Sequence, residues 1–234
     1  MSDFLPISLP SRCMTYGIDP TDIQIRPYTG QDEVYLSQIN PVNVETKYTQ
    51  VLERVLKGID PKSLTLGDRL YIILWEFINS YSNTLRVKSV CSHCLNEVEH
   101  SVDLRKLDVV TLPDGYSEPH ALDIDGETIH VRLTTVGDEV EVEKLKNKAD
   151  AEMYQYARII VDDDDVVTRM EKLKKGSAKK LARIRLFQSE FYHGPDMNTH
   201  VTCPKCGEED DLAVPFRFDF IFPDGSLLRD SIGA

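Results

Sequence analysis

Four of the five cysteines fall into two Cys-x-x-Cys pairs, Cys91-Ser-His-Cys94 and Cys203-Pro-Lys-Cys206, with 108 residues between them. A two-residue spacer lets one tight turn present two sulfurs to one ion. Two such turns supply the tetrahedral thiolate set that Zn²⁺ prefers. The predicted ligands of one structural zinc are therefore Cys91, Cys94, Cys203 and Cys206. Four thiolates close the shell, and a catalytic zinc needs an open position, so chemistry at this metal is not expected. Gly207 can supply the positive φ of a knuckle turn, and Pro204 stiffens it. A thioredoxin-like redox site normally has one Cys-x-x-Cys opening a helix, and neither pair opens one. Disulfides suit an oxidising compartment, whereas Met-Ser-Asp-Phe at the start lacks a basic signal-peptide region. His93 reads as a solvated spacer, His100 and His200 as surface residues, and Cys13 as a buried or partly buried thiol.

The elements that position these pairs follow from periodicity. Leu85, Val87 and Val90, then Val98 and Val102, and Leu212 and Val214 flank the pairs, which places each knuckle at the tip of a β-hairpin, the first over 84–102. Residues 1–30 carry Pro6, Pro10, Pro20 and Pro27 and read as an extended arm, lying on a partner or on the rest of the fold, with a short strand at 23–25. A helix follows over 31–38. Tyr48, Val51, Leu52, Val55, Leu56 and Ile59 line one helix, ended by Gly58 and Pro61. Leu70, Ile73, Leu74, Phe77, Ile78 and Tyr81 line another, with Thr65 as N-cap and Asp68 three residues on. Asp125-Gly126 predicts a hairpin turn within 121–133. Helices are expected over 138–148 and 151–160, and a helical hairpin broken at Gly176-Ser177 before Gly194-Pro195. The alternating tail Phe216, Phe218, Phe220 and Phe222 predicts a strand with one buried face.

These elements predict an α+β chain with a helical N-terminal part, a small β zinc-ribbon-like module and a helical insertion between its two knuckles. The expected division is an arm at 1–30, a helical region at 31–83, a zinc-knuckle module at 84–135 and 196–234, and the insertion at 136–195.

Composition limits the function. The net charge of −12 argues against nucleic acid, whose binding rests on phosphate neutralisation. The basic stretch 169–185 reads as a solvated helix face, and Asp162 to Asp165 as a cap for the next helix rather than a Ca²⁺ loop. The longest apolar run, Tyr71 to Trp75, is too short to span a bilayer. No phosphate loop, Gly-x-Ser-x-Gly or His-Glu-x-x-His is present. Cys13 and His193 have no local support as a catalytic pair, and Glu139 and Glu141 sit on a charged helix. The chain reads as a non-enzyme without a small-molecule substrate.

Several stretches in order carry a resemblance. They are Leu9-Pro-Ser-Arg12, Tyr16, Ile25-Arg26-Pro27-Tyr-Thr29, Glu33, Leu64-Thr-Leu-Gly67-Asp68-Arg69 and Val102-Asp-Leu104 after the first cysteine hairpin. The series resembles the baseplate hub and hub-assembly proteins of T4-like bacteriophages over 5–135, and loosely through the insertion. The resemblance implies a non-enzymatic role in building a contractile tail, with other baseplate hub or tail proteins as partners. It also implies a place in the host cytoplasm during assembly and, for a component of the finished hub as opposed to an assembly factor, in the virion. The residues alone leave two other readings open, a zinc-ribbon adaptor for nucleic acid or a polymerase, and a thiol redox protein.

Overall fold

The computed structural model describes residues 3–215. It is a mixture of seven α-helices and several small antiparallel sheets among those residues. The phenylalanine-rich stretch 216–222 lies outside the described residues.

Residues 3–30 are folded onto the chain itself. Strands β1 (Leu5–Pro6), β2 (Gln24–Ile25) and β3 (Leu56–Lys57) form a three-stranded antiparallel sheet in that order. Ile7, Leu9, Cys13, Ile23 and Ile25 of this segment are buried. Helices α1 (Gly30–Leu36) and α2 (Val44–Val55) run between β2 and β3. The expected helical stripe through Leu56 and Ile59 stops early, because Leu56 pairs with Ile25 instead. Gly58 then adopts φ +83°, with the backbone of Asp22 so close that a Cβ there would lie 2.2 Å from its carbonyl oxygen. Helix α3 (Leu66–Ser80) has Thr65 at its N-cap, accepting from the Asp68 amide as predicted. Its face carrying Ile73, Leu74 and Phe77 joins α2 in one apolar core.

The first cysteine hairpin is β4 (Thr84–Val90) with β5 (Glu97–Asp103). Leu85, Val87, Val102 and Leu104 root it in the same core. His100, expected on the surface, is buried at 8 %, because β5 alternates and His100 falls in phase with Val98 and Val102. A two-residue pairing of β6 (Val109–Val110) with a later strand, β9 (Gly194–Pro195), ties the two ends of the long excursion together.

Inside that excursion a second core forms. Strands β7 (His120–Ile124) and β8 (Glu127–Val131) make the hairpin expected at Asp125-Gly126, both with positive φ. Helices α4 (Val136–Glu143) and α5 (Ala151–Ile159) follow, then α6 (Val166–Lys175) and α7 (Ala178–Glu190). Leu122, Ile124, Ile129 and Val131 pack with Ile159, Leu173, Ile184 and Phe187. Helix α4 starts and ends earlier than expected, since Thr135 caps it in a reciprocal bond pair with Asp138. Asp165 caps α6 by accepting from the Val167 and Thr168 amides.

Two buried carboxylates clamp the strand-to-helix corners. Asp32 of α1, with no exposed side-chain area, accepts from Arg26 Nη1 at 2.7 Å and Nη2 at 3.2 Å and from Arg54 Nε at 2.9 Å. Asp138 of α4 accepts from Arg132 Nη1 at 2.6 Å and Nη2 at 2.9 Å and from Arg158 Nε at 2.8 Å. A buried carboxylate is tolerated only when it is paired and its lone pairs are used, and both are.

Strands β10 (Asn198–Thr202) and β11 (Glu209–Ala213) form the second cysteine hairpin. Leu212 and Val214 return it to the first core.

Candidate metal centre

The two knuckles meet tip to tip, and all four Sγ atoms lie within 4.8 Å of one another. Cys91 Sγ is 3.8 Å from Cys206 Sγ, and Cys94 Sγ is 3.8 Å from Cys203 Sγ. A tetrahedron of sulfurs about 2.3 Å from a central zinc has edges of about 3.8 Å. The thiols are free, not joined as disulfides, so the donor set fits a four-thiolate ion. The expected ligands come together as one group, and no further His or carboxylate joins it among the described residues.

Each knuckle is the same local turn. The Cys91 amide donates to Asn96 O at 3.1 Å and the Leu95 amide to Cys91 O at 3.0 Å. In the second, the Cys203 amide donates to Glu208 O at 2.8 Å and the Gly207 amide to Cys203 O at 2.9 Å. Gly207 takes the expected positive φ, +78°, and Leu95 takes +58° at the matching place. Thus Leu95 bears the αL strain that glycine avoids in the second turn. The Lys205 amide points at Cys203 Sγ at 3.4 Å.

Contacts across the tips hold the knuckles in register. Asp210 accepts from the Ser92 amide at 2.8 Å and its hydroxyl at 3.0 Å. His93 Nε2 donates to Glu209 O at 3.1 Å, which gives this exposed spacer a bridging task. Asn96 holds the Cys94 thiol down to about 6 through hydrogen bonds from its side chain and backbone. Cys91 and Cys203 are buried, Cys94 is half-buried and Cys206 is exposed. His200 is exposed and pairs with Asp211 at 2.6 Å.

The other candidates do not assemble into a catalytic group. Cys13 is buried, and burial pushes its thiol up to about 11. His193 is spent elsewhere: Nδ1 donates to Phe191 O at 3.0 Å, and Nε2 meets Thr65 Oγ1 at 2.6 Å. Thr65 belongs to a buried junction that sequence reasoning did not find. Asp68 accepts from the Ser11 amide at 2.8 Å and from the Tyr16 hydroxyl, while the Thr65 amide donates to Tyr16 Oη at 2.9 Å. At the same junction Gly67 lies against the His193 backbone. Several residues of the two motifs, Ser11 and Tyr16, then Thr65, Gly67 and Asp68, thus meet at one point.

The basic stretch is neutralised. Each of its eight cationic side chains, from Arg169 to Arg185, has an acidic partner within 4.0 Å. Arg169 and Lys172 take Asp162 and Asp164 of the aspartate run. Among the described residues no helix is long and apolar enough to cross a membrane.

The model of the T4 bacteriophage base plate protein family matches residues 11–222. That span covers most of the chain, including the excursion between the knuckles, which the motifs above reach only loosely. The chain belongs to this family; its role is structural, in a phage baseplate, and its partners are other phage tail proteins. No curated protein and no solved structure matches it.

Proposed function

We propose that the protein is a structural or assembly component of the baseplate hub, acting by protein–protein binding and not by catalysis. The family match across 11–222 carries this reading. One structural zinc held by Cys91, Cys94, Cys203 and Cys206 closes a zinc-ribbon-like module, so that 95–202 is an excursion anchored at its root. That excursion, with its own apolar core between Leu112 and Phe187, stands as the unit that presents a partner surface. The pairing of every cation in 169–185 supports a protein partner over nucleic acid, since no unpaired cation in that stretch is left for phosphate. Burial of the Cys13 thiol and the four-sulfur tetrahedron support a structural over a redox role for cysteine. Synthesis and assembly take place in the host cytoplasm; as a structural component the protein stays in the tail baseplate, and as an assembly factor it leaves the intermediate.

Mass spectrometry of purified particles, with pull-down of the tagged chain from infected cells, tests the reading. The chain is expected in tails together with hub components. Its absence both from particles and from baseplate intermediates would remove the proposal.

A further inference from the structure

The two carboxylate clamps are one structure built twice. Segments 26–34 (Arg-Pro-Tyr-Thr-Gly-Gln-Asp-Glu-Val) and 132–140 (Arg-Leu-Thr-Thr-Val-Gly-Asp-Glu-Val) share Arg, Thr, Asp, Glu and Val at the same places. In each, the first arginine also donates to the carbonyl of the next residue, Pro27 or Leu133, and to that of the second arginine, Arg54 or Arg158. In each, the threonine amide and hydroxyl donate to the aspartate, Thr29 to Asp32 and Thr135 to Asp138. Both chains then return to their first strand. Ile25 pairs with Leu56, and Val131 with Ile160. The same atoms make the same bonds in two different surroundings.

The repetition gives meaning to an exposed face. In the second unit, α4 buries Val136 and Val140 in the first unit's core. Its Glu143 carboxylate accepts from the Glu45 amide at 2.8 Å and the Thr46 amide at 3.0 Å, at the amino end of α2. The counterparts on α1 are Gly30, Val34 and Ser37, and all three are exposed. Val34 is 59 % exposed where Val140 is 4 %. A Cβ on Gly30 would meet nothing within 4 Å among the described residues. Tyr35, its ring under Arg54 at 4.2 Å, and Val42, at 82 % exposure, are exposed apolar residues of the same segment. Single exposed apolar residues are ordinary; here they occupy the face that its internal twin buries under a helix.

We infer that α1 is a docking surface for an amphipathic helix of a partner protein, laid on Val34, Tyr35 and Val42 as α2 lies on α4. This rests on the protein-binding reading above and adds a second surface to the one proposed on the excursion, in the N-terminal unit. The internal copy argues for the occupant, because a helix fills the same face in the second unit. A second copy of this chain fits less well. Its α2 is covered by its own α4, and on the corresponding helix α5, Glu152 and Tyr156 are held by Arg185 of α7. Two differences define the partner further. Gln31 stands where Gly137 lets α4 approach Lys62 O closely, a Cβ there falling 3.1 Å away, so contact centres on the later part of α1. Ser37 replaces Glu143, so the partner helix must cap its own amino end.

The probe is a synthetic peptide of residues 43–57, the helix that fills the twin face, added to the full chain with labelled valine methyl groups. Shifts that saturate at Val34 and Val42 are expected, weakened at least tenfold by Val34→Asp, which as an exposed change leaves the melting temperature in place. No shift at millimolar peptide, shifts confined to other sites, or shifts indifferent to Val34→Asp would overturn the inference. So would a concentration-dependent dimer abolished by Val34→Asp, since the second copy would then be the occupant. These outcomes leave the baseplate reading standing, because particle composition decides that separately.

Discussion

Gly67→Ala is the sharpest test of the buried junction, because two principles predict opposite signs for it. Gly67 lies in the first turn of α3, and alanine in place of a helical glycine ordinarily stabilises by up to about 1 kcal/mol. Here the added Cβ would lie 1.9 Å from His193 O, 2.8 Å from its carbonyl carbon and 2.8 Å from its ring Cδ2. The approach is mutual, since a Cβ on Gly194 would lie 2.9 Å from Gly67 O. The clash is with backbone, which cannot swing aside as a side-chain end can. The crossing must part by more than ~1 Å to restore a normal contact distance. Overpacking of that kind costs about 1–3 kcal/mol. Parting also stretches the Thr65–His193 bond of 2.6 Å, and an orphaned buried polar pair costs about 1–3 kcal/mol more. After the helix gain, a net loss of about 1–5 kcal/mol is expected from these ranges. Urea denaturation measures it, with Gly30→Ala as control, since a Cβ there meets open space. The control should be as stable as the parent or more stable by up to about 1 kcal/mol. A Gly67→Ala protein as stable as its parent would refute the account of why glycine stands at that position.

Three further outcomes follow from the charged and thiolate groups. Burial raises the Asp138 carboxyl, but Arg132, Thr135 and Arg158 more than offset this and hold it near 2; its folded value lies below its unfolded 3.8, so it contributes about 2 kcal/mol above pH 4 that is lost as pH falls through 2, and Asp138→Asn should remove that acid limb and cost roughly 2–4 kcal/mol at pH 7 by orphaning two guanidinium groups. Glu76 has the opposite slope: burial pushes its carboxyl up to about 9, and Oε1 has no hydrogen-bond partner among the described residues, so stability should decline between pH 4.5 and 9 by up to about 1.4 kcal/mol per unit. Glu76→Gln should flatten that decline and melt higher than the parent at pH 8; a lower melting point there would show that the carboxylate is the favoured form. Metal analysis should find about one zinc per chain, and a strong chelator or Cys206→Ser should loosen the hairpins 84–103 and 198–213 while most helical circular dichroism remains, since their roots lie in the apolar core; unchanged hairpin amide exchange after metal loss would count against a structural ion.

Local signals were legible where one short-range rule decided the outcome. The cysteine spacing gave both knuckles, Thr65 with Asp68 gave a cap, and Asp125-Gly126 gave a turn with φ of +52° and +87°. Long-range competition was not legible. Leu56 continues a helical stripe in sequence, yet it is taken by Ile25 across a sheet. The sequence reads 169–185 as a solvated helix face, and the partners it could not supply, such as Asp125, Glu127 and Glu152, sit on other elements. The duplication was in principle readable, since 26–34 and 132–140 share five of nine residues. It was missed because the helices that follow have diverged: Tyr48, Val51 and Leu52 of the first unit correspond to Glu152, Gln155 and Tyr156 of the second. What survived is the clamp, whose bonds admit no substitute, since lysine lacks the planar fork that grips a carboxylate and a carbonyl together.

That survival bears on how the fold serves a structural role. Distant segments meet at three kinds of contact: a thiolate cluster at the hairpin tips, the Asp68 junction between arm and α3, and the two arginine–aspartate clamps. None is the cheapest route to stability, since buried charge is often replaceable by apolar packing at no loss. What these contacts share is direction. A tetrahedral thiolate site, a bidentate guanidinium and a doubly accepting carboxylate each admit one geometry, whereas apolar side chains tolerate repacking. Among the described residues the sheets are two or three strands wide and cannot by themselves set the angle between the units. Directional contacts at each joint therefore define where α1 stands relative to the cysteine hairpins. A baseplate component has to hold such relations between partner surfaces, so the loss of one clamp should disturb assembly at temperatures where the chain is still folded.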